Sequence, residues 1–420
     1  MKHFLSDMWS RLLGWSKWRT VSFTSGADIL KMLLSVVSGI LTARLLLPQG
    51  KGELTAILLW HGLFSNVGNI GMPHAVIYYT GQNEEEVGRV FGTATAIALV
   101  QGAAVAVAGY FAIEHIIGDY GKDVVRTART MFIFAPISFL YSYSIRTVQG
   151  VGNYNIWNIF RVAQSLIYVS VIVLLWILEE MNVQSVVYGY VLSQFSVAIF
   201  CSYYVISGAK KVDFDFGLVR KFMSYGSRNW LAGMAGQANA RIDQGIISMV
   251  LSSELLGFYR VAVSATRPIG VVSGGFSKII LPEVSLADEG KREKIRKSLY
   301  IAGGLLVVSA GIGVLLIPYV LPFLFGAEYT SAIFSAQILC VAMTVMGMRN
   351  ILNNGVRGLG YPQYPLYGEV TSLVVTAAGL WGLLPLLGIE GAAITSLLAY
   401  ATGAAIVYEL GLRRKPVEVG

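Results

Sequence analysis

Charged residues are scarce in this sequence: Asp, Glu, Lys and Arg make up 13% of its 420 residues, against about 25% in an ordinary globular domain. A chain so poor in charge cannot cover itself with a solvated surface, which excludes a water-soluble globular protein. Only two cysteines are present, Cys201 and Cys340, both inside apolar runs, so neither a disulfide framework nor a thiolate metal site is supported. Catalytic signatures are missing too. There is no HExxH zinc motif, no GxxxxGK[ST] phosphate loop and no GxSxG elbow, and the Gly-x-Gly pairs at 150 and 358 lack both a third glycine and a strand before them. No N-x-[ST] acceptor occurs either. No cofactor is implied, and no loop is long enough to hold a separate soluble domain.

What the chain has instead is apolar length. Hydrophobic residues are 55% of the total, and the mean hydropathy is +0.62. A bilayer core about 30 Å thick is crossed by about 20 residues of helix. The sequence predicts an all-α integral membrane protein with twelve spans, near 21–47, 54–80, 89–113, 126–148, 155–178, 183–207, 221–250, 254–283, 298–325, 331–357, 362–387 and 390–412. The first twenty residues carry Trp9, Trp15 and Trp18 among basic residues and no small-residue cleavage site. They read as an interfacial helix with no signal peptide.

The net charge of +8 is read from its distribution. One set of alternate loops holds Lys2, Arg11, Lys17 and Arg19, then Arg89, Arg146, Lys210, Lys211, Arg220, Lys221, the run KREKIRK at 291–297, Arg357, and RRK at 413–415. The opposite set holds Lys51, Lys122, Arg126 and Arg129. By the positive-inside rule both termini are cytoplasmic, which needs an even number of spans. The basic loops thus serve orientation and contact with anionic membrane lipids, and no nucleic-acid partner is expected.

Three matches at nearly one offset suggest an internal duplication. Gly150 and Gly152 of TVQGVGNYN align with Gly358 and Gly360 of GVRGLGYPQ, Pro73 aligns with Pro282, and Gly52 aligns with Gly257. The expected organisation is an N-lobe at 21–207, a cytoplasmic linker at 208–220, a C-lobe at 221–412 and a cytoplasmic tail at 413–420. Each lobe has six helices, which places a pseudo-twofold axis along the membrane normal.

Charges inside the spans carry the functional signal, because each costs roughly 2.5–3.5 kcal/mol at the bilayer centre and normally faces the bundle interior or water. Asp28 and Lys31 lie on a polar stripe of the first span with Ser35, Ser38 and Thr42. Arg241 and Asp243 lie in the seventh, two positions apart and therefore on different faces. Arg260, Ser264, Arg267, Gly274 and Lys278 share one face of the eighth. Structural roles compete with binding: an Asp243–Arg260 bridge across the hairpin of spans seven and eight, an Asp28–Lys31 pair, and snorkelling or loop anchoring for Arg44, Arg161, Arg228, Arg349 and Glu369. His61 and His74 read as structural. Such pairings leave a positive surplus, and guanidinium groups match phosphate oxygens with forked hydrogen bonds.

Two stretches carry a family resemblance. TARLLLPQGKGELTAI at 42–57 resembles the end of the first span and the following loop of polysaccharide flippases of the O-antigen type. These are lipid-linked oligosaccharide transporters of the multidrug/oligosaccharidyl-lipid/polysaccharide exporter superfamily, and they read ARLLGPEGxG at this point. Leu47 stands where that pattern has Gly, and Gln49 where it has Glu. NARIDQGIISMVLSSELLGFYRVA at 239–262 is similar to the family's seventh-span region.

The resemblance implies a non-enzymatic transporter of a bacterial inner (plasma) membrane. It would carry an undecaprenyl-pyrophosphate-linked oligosaccharide from the inner to the outer leaflet by alternating access through a cationic central cavity. Lys31, Arg241, Arg260 and Arg267 are then the candidate substrate ligands, and Asp28, Asp243, Asn239 and Lys278 candidate cavity or coupling residues, with H+ or Na+ as a coupling ion and a polymerase or other polysaccharide-assembly proteins as partners. Two alternatives stay open. A multidrug or cation antiporter of the same superfamily would have a cavity richer in carboxylates, and an integral-membrane polymerase or glycosyltransferase would need a large catalytic loop.

Overall fold

A computed structural model describes residues 15–239, 241–287 and 289–413. Most of the interfacial segment expected over 1–20, Trp9 included, and the tail beyond Arg413 lie outside the described residues. Among the described residues the chain is helical and contains no strand. Seven helices are long and apolar enough to cross a membrane, or eight when a pair bent by 43° counts as one span.

The helices are α1 (Trp15–Gly68), α2 (Met72–Gln82), α3 (Val87–Ile117), α4 (Lys122–Ile133), α5 (Ala135–Gly150), α6 (Tyr154–Ile177), α7 (Val183–Gly208), α8 (Phe216–Asn239), α9 (Ile242–Val250), α10 (Ser253–Ser285), α11 (Lys291–Phe325), α12 (Ile333–Gly358) and α13 (Gln363–Tyr408). Several expected spans are joined or broken relative to the sequence pattern. α1 runs through the first expected loop with a single non-helical residue, Leu47, at φ 60 and ψ 175. α13 joins the last two expected spans across Gly388, at φ 56 and ψ −133. Pro136, at the second position of α5, follows the bend that splits the fourth expected span; there a proline fits, because its missing N–H would be unpaired anyway.

The expected seventh span is interrupted as well. α8 ends at Asn239, Arg241 precedes α9 at φ −137 and ψ −3, and Asp243 sits in the first turn of α9. The run AGMAGQAN at 232–239 contains Gly233, Gly236 and Asn239, residue types that hold a helix weakly. Arg241 is therefore a flanking residue and not part of an unbroken helix.

Apolar side chains face outward in number. Trp381 is 87% and Leu386 79% exposed, while Asn158, Thr93, Ser193 and Ser372 are fully buried. That inversion of a soluble protein's surface is what a lipid solvent demands. The protein is a multi-pass membrane protein.

The chain divides into two compact units: residues up to Leu45 with Ile57–Met234, and Leu46–Ala56 with Ala235–Gly420. In the first unit α5 packs on α2, α3 and α7, and α6 on α7; in the second α12 packs on α10, α11 and α13. The glycine matches read from the sequence have matching geometry. A methyl group on Gly150, at the end of α5, would meet Thr80 Cβ at 2.5 Å and Ile77 O at 3.0 Å; one on Gly358, at the end of α12, would meet Val284 Cβ and Leu281 O, each at 2.9 Å. Two residues on, Gly152 and Gly360 take the left-handed values φ 83 and φ 90 that end a helix and that glycine adopts without strain.

Candidate functional site

The second unit gathers four cations. Lys51, in the segment after the Leu47 kink, is 8% exposed and lies within electrostatic reach of Arg260 and Arg267. Arg260 in turn interacts with Arg267 and Arg241, and Arg267 with Arg241. Arg241 and Arg267 are exposed and make no hydrogen bond or ion pair among the described residues.

Asp243 is the carboxylate beside them, and its oxygens are already used. Tyr259 donates its hydroxyl to Asp243 Oδ2 at 2.7 Å, and the Gln244 amide donates to Oδ1 at 2.7 Å. Tyr259 also reaches Ser396 Oγ at 3.4 Å, which connects this hairpin to α13. Arg260 Nη1 donates to Gln244 Oε1 at 3.4 Å. The direct Asp243–Arg260 bridge is thus absent among the described residues. The hairpin of α9 and α10 is held by the crossed contacts Tyr259–Asp243 and Arg260–Gln244, in which the arginine's partner is neutral. A neutral acceptor orients a guanidinium without cancelling its charge, so the group remains net positive.

The first unit holds another charged group. Arg161 Nη2 donates to Asp28 Oδ1 at 2.5 Å, Arg161 Nη1 to Asn158 Oδ1 at 3.1 Å, and the guanidinium stacks 4.2 Å above the Trp157 ring. Asn158 is buried and donates to Thr24 Oγ1 at 2.8 Å. Lys31 is half-buried with Arg161, Asp28 and Arg146 as its charged neighbours, and makes no bond among the described residues. Asp28 therefore pairs with Arg161 rather than with Lys31, and Arg161 is a clamp between α1 and α6 rather than a snorkelling side chain.

The sequence-predicted residues consequently fall into two groups: Arg241, Arg260, Arg267 and Asp243 in one unit, Asp28 and Lys31 in the other. The side chains of Asn239, Lys278 and Arg228 lie outside the described residues. Arg349 and Glu369, expected near loops, form an ion pair inside the second unit. Arg349 Nη2 donates to both Glu369 oxygens at 2.9 and 3.1 Å, and Nη1 to Ser372 at 2.7 Å. His61 is hydrogen-bonded to Ser138 at 3.0 Å, in keeping with a structural role, and both cysteines are buried and free.

The sequence pattern places Lys51 among the loop charges, and the structure buries it. Its signal was its place between Gly50 and Gly52 in the segment that resembles the flippase pattern. Those glycines leave the local backbone free to pack closely, which draws the lysine inward.

The profile of a family described as "Polysaccharide biosynthesis protein" matches residues 41–334. The chain belongs to this family. Both stretches that carried the resemblance lie within the match. A curated relative, the probable low-salt glycan biosynthesis flippase Agl15 of Haloferax volcanii, is 23% identical over 197 residues, 46% of this chain and 42% of that protein. The chain thus matches about two fifths of that relative's length.

Among solved structures, the lipid II flippase MurJ in its inward closed conformation superposes with a TM-score of 0.75 at 13% identity, covering 94% of this chain and 88% of that one. An inward-facing multidrug resistance MATE transporter of the MOP superfamily gives 0.72 at 14% identity, covering 91% and 93%. At these identities the likeness is one of fold. These similar proteins are flippases and transporters, not enzymes.

Proposed function

We propose that this polysaccharide biosynthesis family member is a flippase. It moves an undecaprenyl-pyrophosphate-linked oligosaccharide, of the kind used for O-antigen, from the inner to the outer leaflet of a bacterial inner membrane. The observation that supports this reading best is the group Lys51, Arg241, Arg260 and Arg267 beside, among the described residues, one carboxylate, Asp243, whose oxygens are taken by Tyr259 and a backbone amide. Cations gathered in this way repel one another, and an anionic guest relieves that repulsion. Pyrophosphate, with several oxygens for forked guanidinium bonds, is the anion that lipid-linked sugars carry.

In this reading the twelve segments act as two six-helix lobes, 21–207 and 221–412, joined by the cytoplasmic linker 208–220, with both termini cytoplasmic. The lobes alternate between inward and outward states while the lipid tail stays in the bilayer. Polymerase or other assembly proteins would receive the cargo, and H+ or Na+ would couple the cycle.

The fold shared with a MATE transporter keeps a multidrug antiporter as the second reading. The sign of the charge separates them, since an organic cation would be repelled by the Arg260 group. The test is transport in proteoliposomes. Arg267→Ala, in which no protein bond is lost, should insert and elute like the parent yet flip lipid-linked pyrophosphoryl glycan at least tenfold more slowly. Full activity in that variant would remove Arg267 from the site.

A further inference from the structure

The chain after α7 does not run free before α8. Gly88 and Gly92, one turn apart on α3, let it lie backbone against helix. A methyl group on Gly88 would meet the Lys211 carbonyl oxygen at 2.0 Å, and one on Gly92 the Asp213 carbonyl oxygen at 2.5 Å. The Asp215 amide donates to Thr93 Oγ1 at 2.9 Å, and Asp215 Oδ1 accepts from the Gly217 amide at 2.7 Å. The segment between α7 and α8 is thereby a fixed wall.

That wall, the turn Glu84–Glu86 before α3 and the α5–α6 connection enclose a cavity of about 560 Å³. Val87, Val151 and Val205 form its apolar side, and Glu85, Tyr204 and Lys210 its polar side. We propose that this cavity binds the headgroup of a membrane aminophospholipid, with the primary ammonium on Glu85 and the phosphodiester on Lys210 and Tyr204. The site goes beyond the flippase reading and stands whether or not that reading holds.

Depth decides that the guest is a lipid. The cavity lies where two apolar helices end, the one that starts at Val87 and the one that stops at Gly208. Side chains at such ends stand at the level of the lipid headgroups.

Charge decides which headgroup. Lys210 Nζ lies 2.9 Å from Glu85 Oε1, Lys211 Nζ 2.6 Å from Asp213 Oδ2, and Arg89 Nη1 3.9 Å from both Glu86 and Asp215. Each of these cations has its carboxylate, so an anionic lipid gains no net attraction here. A zwitterion gains it, because its two charges replace the Lys210–Glu85 pair one for one. That pair is 80% and 74% exposed, and exposed pairs contribute little, so it parts readily. The Glu85 carboxylate accepts N–H bonds, which a primary ammonium donates and a quaternary choline cannot. Tyr204 is already set for the phosphodiester. Its ring stands edge-on to Phe160 at 6.2 Å, and its hydroxyl accepts from Asn153 Nδ2 at 3.1 Å, which leaves the phenolic proton to donate. With wall and ring preformed, little ordering remains to be done on binding.

The test is native mass spectrometry of the full-length protein in detergent, offered equimolar phosphatidylethanolamine, phosphatidylcholine and phosphatidylglycerol with the same acyl chains. The parent should retain one phosphatidylethanolamine per chain at least fivefold over either competitor. Glu85→Gln should lower it to the phosphatidylcholine level, while Glu85→Asp keeps the preference. Val151→Trp, which fills the cavity and leaves its charges in place, should abolish the retained lipid. Glu85 and Val151 are exposed, so an unchanged melting temperature is expected in each variant and separates a lost site from a lost fold. Equal retention of the three lipids by the parent, a preference for phosphatidylglycerol, or a phosphatidylethanolamine preference that survives either Glu85→Gln or Val151→Trp overturns the site. None of these readouts depends on transport, so their failure leaves the flippase reading untouched.

Discussion

Gly52 and Gly257 touch backbone to backbone. A methyl group on Gly52 would lie 1.6 Å from the Ser253 carbonyl oxygen and 2.9 Å from the Gly257 nitrogen, and one on Gly257 would lie 2.0 Å from the Pro48 carbonyl oxygen. The obstructing atoms are main chain and cannot turn away as a side chain can. Gly52→Ala or Gly257→Ala should therefore force the 46–56 segment off the start of α10, with a loss of about 1–3 kcal/mol typical of overpacking. Thermal unfolding in detergent reads this directly; an unchanged melting temperature in both variants would mean that the contact is not made.

Leu47 occupies a conformation, φ 60 and ψ 175, that is essentially reserved for glycine and costs other residues of order 1–3 kcal/mol. The flippase pattern has Gly at this position. Leu47→Gly should raise stability by about 1 kcal/mol or more through relief of that strain, even though glycine normally loosens a chain. Leu47 is 52% exposed, so little packing is lost. A lower melting temperature in Leu47→Gly would contradict the strained geometry.

The Arg349–Glu369 pair makes an opposite kind of prediction. Its side chains are 6% and 25% exposed, and breaking the pair leaves the Arg349 charge with only neutral partners. Glu369→Gln should cost about 3–5 kcal/mol, with Glu369→Asp milder. The same removal at Asp28, whose side chain is 57% exposed, should cost about 1 kcal/mol or less. Paired melting curves of the two variants test the ranking.

The proposed alternation of the lobes 21–207 and 221–412 predicts that the 46–56 segment and the α9–α10 turn, packed in one unit in this structure, separate at some stage of the cycle. Gln49 and Glu254 are exposed near that contact, and the natural thiols Cys201 and Cys340 are buried. Cysteines placed at 49 and 254 and joined by a bifunctional reagent, in a background lacking the natural thiols, should stop transport, with activity restored by cleaving the linker. Full flux through the joined protein would show that this contact does not open.

Much of this architecture was legible because a lipid solvent leaves a coarse signal. Runs of about 20 apolar residues placed α3, α6 and α7 within a few residues of their ends. Where the chain bends, composition spoke less clearly. Nothing apolar or polar distinguishes Leu47 from its neighbours, and only the family pattern marked the place of a glycine conformation. The break at Arg241 was hidden for the same reason, since a short interruption of a helix leaves its hydropathy unchanged.

The site was half legible. Charges out of place in the spans identified Arg241, Asp243, Arg260 and Arg267. Which charge meets which depends on tertiary packing that spacing along one helix cannot report. Asp28 sits nearer in sequence to Lys31, yet it bonds Arg161 from a distant helix. Lys51, expected in a solvated loop, is buried beside the arginines.

Under the proposed function the cations beside Asp243 hold the diphosphate of a lipid-linked glycan during transport. The decisive measurement is the initial flipping rate, in proteoliposomes, of one glycan presented on two lipids that differ only in the link, pyrophosphate in one and an uncharged linker in the other. The pyrophosphate-linked cargo should move at least tenfold faster, with the advantage lost in Arg260→Gln. Equal rates for the two cargoes would contradict the account.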